Sequence, residues 1–173
     1  MIRHIKIVIV FVIVLLTTGC KINYSFTGAS IAPDIKTISI LDFPNMAPLV
    51  NPLLSNVFTE ALRDRFLSRT DLQLIEKNGD LNIEGTIIGY STRPMNIKAG
   101  SSNGDVAAQN RLTIKIRVKF TNKSNPKANF DSVFTRYSDY SSDRNLQDVE
   151  DALVDEIVLQ LIDDIFNKAV VNW

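Results

Sequence analysis

Four cations recur along one short stretch of the chain. In Arg111-Leu112-Thr113-Ile114-Lys115-Ile116-Arg117-Val118-Lys119-Phe120, basic residues alternate with apolar ones. Alternation at period two belongs to a strand, so Arg111, Lys115, Arg117 and Lys119 fall on one face and Leu112, Ile114, Ile116 and Val118 on the other. Two readings are open: a solvated outer face of a half-buried sheet, or a docking surface for phosphate groups or an acidic partner wall, where arginine forks give bidentate contacts. A second cluster is acidic. Asp148, Glu150, Asp151, Asp155, Glu156, Asp163 and Asp164 lie close together near the end of the chain, with Asp151 and Asp155 one helical turn apart. Carboxylate pairs can hydrolyse glycosides or hold a hard cation. The same spacing also describes the polar side of an amphipathic helix, whose N-terminal dipole favours acids. We adopt the second reading and expect no catalytic residues, no metal and no cofactor.

The side chains that are missing exclude more. Among 173 residues there is one histidine, His4, and one cysteine, Cys20, with 19 basic groups against 19 acidic ones. Ile7 to Leu16 is an unbroken hydrophobic run behind Arg3 and Lys6, and it ends at Gly19-Cys20. The run is too short to span a bilayer as a helix and has the layout of an export signal. Leu15-Leu16-Thr17-Thr18-Gly19-Cys20 resembles the lipobox of bacterial lipoproteins, with Thr17 where leucine is usual. That resemblance implies removal of residues 1–19, lipid attachment at Cys20 and a palmitate-type acyl anchor that holds the protein on a membrane without spanning it. The remaining chain has 17 of the 19 basic groups, all 19 acidic ones and no histidine. A Ser-His-Asp triad, a Cys-His pair, a zinc site built on histidine or cysteine, and an intrachain disulfide are thereby excluded. The near-neutral balance argues against nucleic acid as a partner.

These residues need elements to hold them. Residues 20–35 are rich in Ser, Thr and Gly and read as a lipidated tether, leaving 36–173 as a single domain. The alternation of Thr37-Ile38-Ser39-Ile40 predicts a first strand over about 36–43. Asn51-Pro52 predicts a helix start, and Leu54, Val57, Phe58, Ala61, Leu62 and Phe66 form one stripe over 52–68. Leu72, Leu74 and Ile75 indicate a short strand, and Asn78-Gly79-Asp80 a turn of the type that joins antiparallel neighbours. Period-two runs predict strands near 81–91 and 110–121, joined by a long connection over 92–109 that is functional or flexible. After a turn at 122–127 comes a strand over 129–140 with poorer alternation. Asn145 then opens a helix of about 25 residues, about 38 Å long, with two apolar rows. Trp173 reads as a packing plug. The order predicts an α+β fold: a two-layer sandwich, with two long helices on one face of a mostly antiparallel four- to five-stranded sheet.

The segment Tyr24 to Ile31, then Lys36-Thr37-Ile38-Ser39-Ile40, Phe43-Pro44-Asn45 and Asn51-Pro52-Leu53-Leu54-Ser55 resembles the LptE family of lipopolysaccharide-assembly lipoproteins. Gly79-Asp80-Leu81, Glu84-Gly85, Ala107 to Ile114, Ile165-Phe166-Asn167 and Asn172-Trp173 extend the likeness over nearly the whole domain. The resemblance implies a non-enzymatic outer-membrane lipoprotein on the periplasmic side. It also implies a plug and assembly partner for an LptD-like β-barrel that handles lipopolysaccharide. Glycolipid or partner contact at Arg111, Lys115, Arg117 and Lys119 is an expectation from charge patterning alone. A lipid-anchored adaptor of another envelope complex is the alternative.

Overall fold

The computed structural model describes residues 31–49, 51–95 and 108–170. The expected signal segment, Cys20, most of the tether, Trp173 and the centre of the long connection lie outside the described residues. The elements are β1 (Thr37–Ile40), α1 (Leu54–Arg69), β2 (Gln73–Leu74), β3 (Leu81–Met95), β4 (Gln109–Asn122), a 3₁₀ turn (Pro126–Ala128), β5 (Phe130–Ser141) and α2 (Leu146–Val170).

The predicted α+β sandwich is the fold observed. Five strands form one mixed sheet in the order β2-β1-β3-β4-β5: β3, β4 and β5 run antiparallel, and β1 is parallel to both its neighbours. The alternation in β4 explains the layering, because Leu112, Ile114, Ile116, Val118 and Phe120 are all buried while Lys115, Arg117 and Lys119 between them are exposed. A sheet so patterned buries one face and wets the other. On the buried face lie both helices. In α2, Val149, Leu153, Ile157, Leu161 and Ile165 form one buried row and Val154, Val158, Ile162 and Phe166 a second. Leu54, Phe58, Leu62 and Phe66 of α1 complete the core, with Phe66 meeting Phe166 edge-on at 5.1 Å between ring centroids. Arg65 and Arg136 clasp α2 from its two sides, through Asp163 and Asp164 respectively.

Three expectations change in detail, and a fourth acquires its cause. The first strand is shorter, Thr37–Ile40, because the chain turns inward at Phe43 and Pro44 to cover the edge of β3, where the Ile87 amide donates to the Pro44 carbonyl at 3.0 Å. The Asn78-Gly79-Asp80 turn does not join antiparallel neighbours: β2 and β3 flank β1 on opposite sides and all three run parallel. The link must therefore cross β1, and Gly79 is the crossing point. A Cβ there would stand 2.6 Å from the Leu81 carbonyl oxygen and 2.7 Å from the Ser39 amide nitrogen. Asn78 adopts φ of 62°, a left-handed conformation asparagine tolerates better than most residues. The connection expected over 92–109 is shorter, since Thr92 to Met95 pair with Leu112 to Gln109 as a continuation of the hairpin. The poor alternation of β5 also has a cause. Arg136 sits on the inward-facing register and reaches over the sheet edge to a bidentate pair with Asp164, 2.6 Å on each arm.

Candidate functional site

The wet face of β3, β4 and β5 brings the four sequence-predicted cations into one row, and the register hands carboxylates to three of them. Arg111 stands opposite Asp139 of β5 and binds it through Nε at 2.7 Å and a terminal nitrogen at 2.8 Å. Its guanidinium lies 3.5 Å above the ring centre of Tyr137. Arg117 donates to Asp131 at 3.0 Å, and Lys119 to Glu84 of β3 at 2.7 Å. Lys115 forms no ion pair among the described residues. Its methylene stem lies against Gly89, where a Cβ would come within 3.2 Å of it. Solvent screens exposed pairs of this kind, so their main effect is to cancel charge and order the side chains.

The hydrogen bond to Asp139 raises the Arg111 pKa, and the same bond lowers that of Asp139. Glu84 raises the Lys119 pKa in the same manner. Arg117, Lys119, Glu84 and Asp131 rim a shallow cleft of about 410 Å³ that continues to Leu41 and Asp42. Arg93, which the sequence analysis did not single out, stands directly opposite Arg111. Like charges in that position repel. Tyr137 and the three carboxylate partners were likewise missed, and their pairing becomes visible only once the cross-strand register is known. Asp151 and Asp155 stand exposed on α2 and make no ion pair among the described residues. No group of three metal-ligating side chains occurs among the described residues. No described helix is long and apolar enough to cross a membrane.

A second constellation ties the loop after β1 to the helices. The Phe43 ring lies against Gly85 and meets Phe58 at 4.9 Å, while the Ser55 hydroxyl donates to the Phe43 carbonyl at 2.6 Å. Asn45 Nδ2 donates to the Asn51 carbonyl at 3.2 Å, and Asn51 Oδ1 accepts from the Leu53 and Leu54 backbone amides, capping α1. Asn51 Nδ2 and the buried Tyr90 hydroxyl both donate to Glu150 of α2, and burial raises the Tyr90 pKa. At the other end of β1, Asp80 Oδ2 accepts from the Lys36 amide, the Thr37 amide and the Thr37 hydroxyl, all within 2.9 Å.

The Lys36 amide is the largest cause holding the Asp80 carboxyl below its ordinary value, followed by the two Thr37 donors. A depressed carboxylate pKa contributes stability that is present above the unfolded value, 3.8, and lost as pH falls through the folded one. Asp139 acts in the same sense. The urea midpoint should therefore hold steady above about pH 5 and decline below about pH 4. Asp80→Asn should flatten part of that decline; an unchanged slope would show that the β1 clasp does not titrate with folding.

The sequence profile described as LptE: Lipopolysaccharide-assembly matches residues 35–169, which takes in both constellations and nearly all the described residues. No curated protein matches the chain at a significant level. Among solved structures, hypothetical protein CT253 from Chlamydia trachomatis is similar over 80% of this chain and 99% of that one, with 10% identity and a TM-score of 0.52. That likeness shows the fold alone. A minor lipoprotein from Acinetobacter baumannii is 15% identical over 79% of this chain and 96% of that one, with a TM-score of 0.46. Rare lipoprotein B from Shewanella oneidensis is 16% identical over 76% and 92%, with a TM-score of 0.45.

Proposed function

The chain belongs to the LptE family of lipopolysaccharide-assembly proteins, and from that membership we propose that it is an outer-membrane lipoprotein acting as plug and assembly partner of an LptD-like β-barrel. The observation that carries this reading is the extent of the family match, which includes every described strand, all of α1 and all but the last residue of α2. In this reading residues 1–19 are a signal peptide, and Cys20 carries the lipid. Residues 20–35 tether the domain to the periplasmic side of the outer membrane, and 36–173 form the single domain that enters the barrel.

Such a protein has no reaction to catalyse: it holds a shape inside another protein and offers a surface to a passing glycolipid. A rigid two-layer sandwich suits the first task. Arg111, Lys115, Arg117 and Lys119 are the candidates for the second, meeting either lipopolysaccharide or the barrel itself. Depletion of the protein should stop newly made lipopolysaccharide from reaching the cell surface, measured by labelling its sugars from outside intact cells. Undiminished surface labelling after depletion would overturn the proposal in favour of an adaptor for another envelope complex.

A further inference from the structure

The domain is electrically polarised across its thickness. On the wet sheet face three ion pairs neutralise one another and leave Arg93 and Lys115 over, neither with an ion-pair partner among the described residues. On the opposite side, the exposed Asp148, Asp151 and Asp155 of α2 likewise make no ion pair among the described residues. The sheet face thus attracts an acidic surface and the α2 face repels one. The sheet face also has the side chains that interfaces favour. Tyr137 is 48% exposed beneath the Arg111 guanidinium, and Val133, 53% exposed, stands four residues away on the same face. Tyrosine and arginine are enriched at protein interfaces, and an arginine already clamped by Asp139 and stacked on a ring has less freedom to lose on docking. β4 and β5 pair over twelve residues without a bulge, and the side chains they present on this face are exposed or half-buried.

We propose that the outer face of β3, β4 and β5, centred on Arg111 and Tyr137, is the surface by which the domain docks on an acidic stretch of the partner barrel's lumen wall, with the α2 face turned away from it. The inference rests on the barrel-partner reading and adds the orientation. Lumens of outer-membrane barrels are polar, so ion-paired strands can lie against such a wall without burying an unmatched apolar surface. Complementary charge then fixes which way round the plug sits.

Photocrosslinking in intact membranes tests it, using the full lipidated chain with a photoreactive amino acid at Thr135, on the sheet face opposite Lys115, or at Leu159, 57% exposed on α2. The Thr135 adduct should map to an acidic stretch of the barrel's lumen wall, and no Leu159 adduct should map to that stretch. Double charge reversal, Arg93→Glu with Lys115→Glu, should cut the Thr135 adduct at least about tenfold. Neither residue holds a described ion pair, so the urea midpoint should stay close to that of the parent chain, which separates lost docking from lost folding. A Leu159 adduct on that acidic stretch, a glycolipid adduct at Thr135, or neither site reacting while the barrel still co-purifies would each overturn the orientation. If no barrel co-purifies at all, the partner reading falls and the orientation with it.

Discussion

Replacing Gly85 by alanine should destabilise the domain by about 3 kcal/mol, the upper part of the range for overpacking a close-packed core. A Cβ at this position would stand 2.3 Å from the Arg117 carbonyl oxygen and 2.4 Å from the Phe43 ring. Neither neighbour can yield cheaply. The carbonyl belongs to β4, and the ring is fully buried against Phe58. Gly89, four residues along the same strand, provides the control. A Cβ there meets only the methylene stem of exposed Lys115, at 3.2 Å or more, so Gly89→Ala should cost less than about 1 kcal/mol. Urea unfolding of the two variants side by side measures the difference. Equal midpoints would mean that the Phe43 ring does not seat on β3 as described.

The second large effect concerns attachment. Cys20→Ser should move the protein from the membrane fraction to the periplasmic fraction almost completely, because multiple acyl chains anchor stably where a bare tether does not. The altered chain should keep its fold, since the first described strand of the sandwich is β1, at Thr37, and Cys20 lies seventeen residues before it in the sequence. Fractionation together with metabolic labelling by a palmitate analogue reads both halves of this expectation. Full membrane retention of an unlabelled Cys20→Ser protein would remove the lipid anchor from the account.

The elements were legible because their periodicities are strong. The two apolar rows of α2 and the alternation of β4 each specify an element and the face it buries, and the two-layer sandwich follows from their combination. The parallel placement of β1 between β2 and β3 was not legible. A four-residue strand and a two-residue strand have too little pattern to set direction, and Asn-Gly-Asp is equally at home in a hairpin and in a link that crosses a strand. Glycine at 79 and 85 carried the missing information, but it registers only as close approach once the neighbouring backbone is placed.

The candidate site was half legible for the same reason. Alternation put Arg111, Lys115, Arg117 and Lys119 on one face, as found. It could not show that Asp139, Asp131 and Glu84 stand beside three of them, because cross-strand partners depend on register rather than on either strand alone. What looked like a row of four positive charges is a largely neutralised surface whose excess lies at Lys115 and Arg93. Arg93 itself was assigned to a connection and not to the strand that places it opposite Arg111. Of the two docking readings that alternation leaves open, phosphate groups or an acidic partner wall, an excess of two cations suits the wall better.

The most direct test of the central claim is to solubilise membranes containing a tagged, lipidated chain in mild detergent, purify it, and identify by mass spectrometry what remains bound in stoichiometric amount. The account predicts a single large outer-membrane β-barrel in equimolar complex. Recovery of the chain alone, or with an unrelated envelope complex, would contradict it.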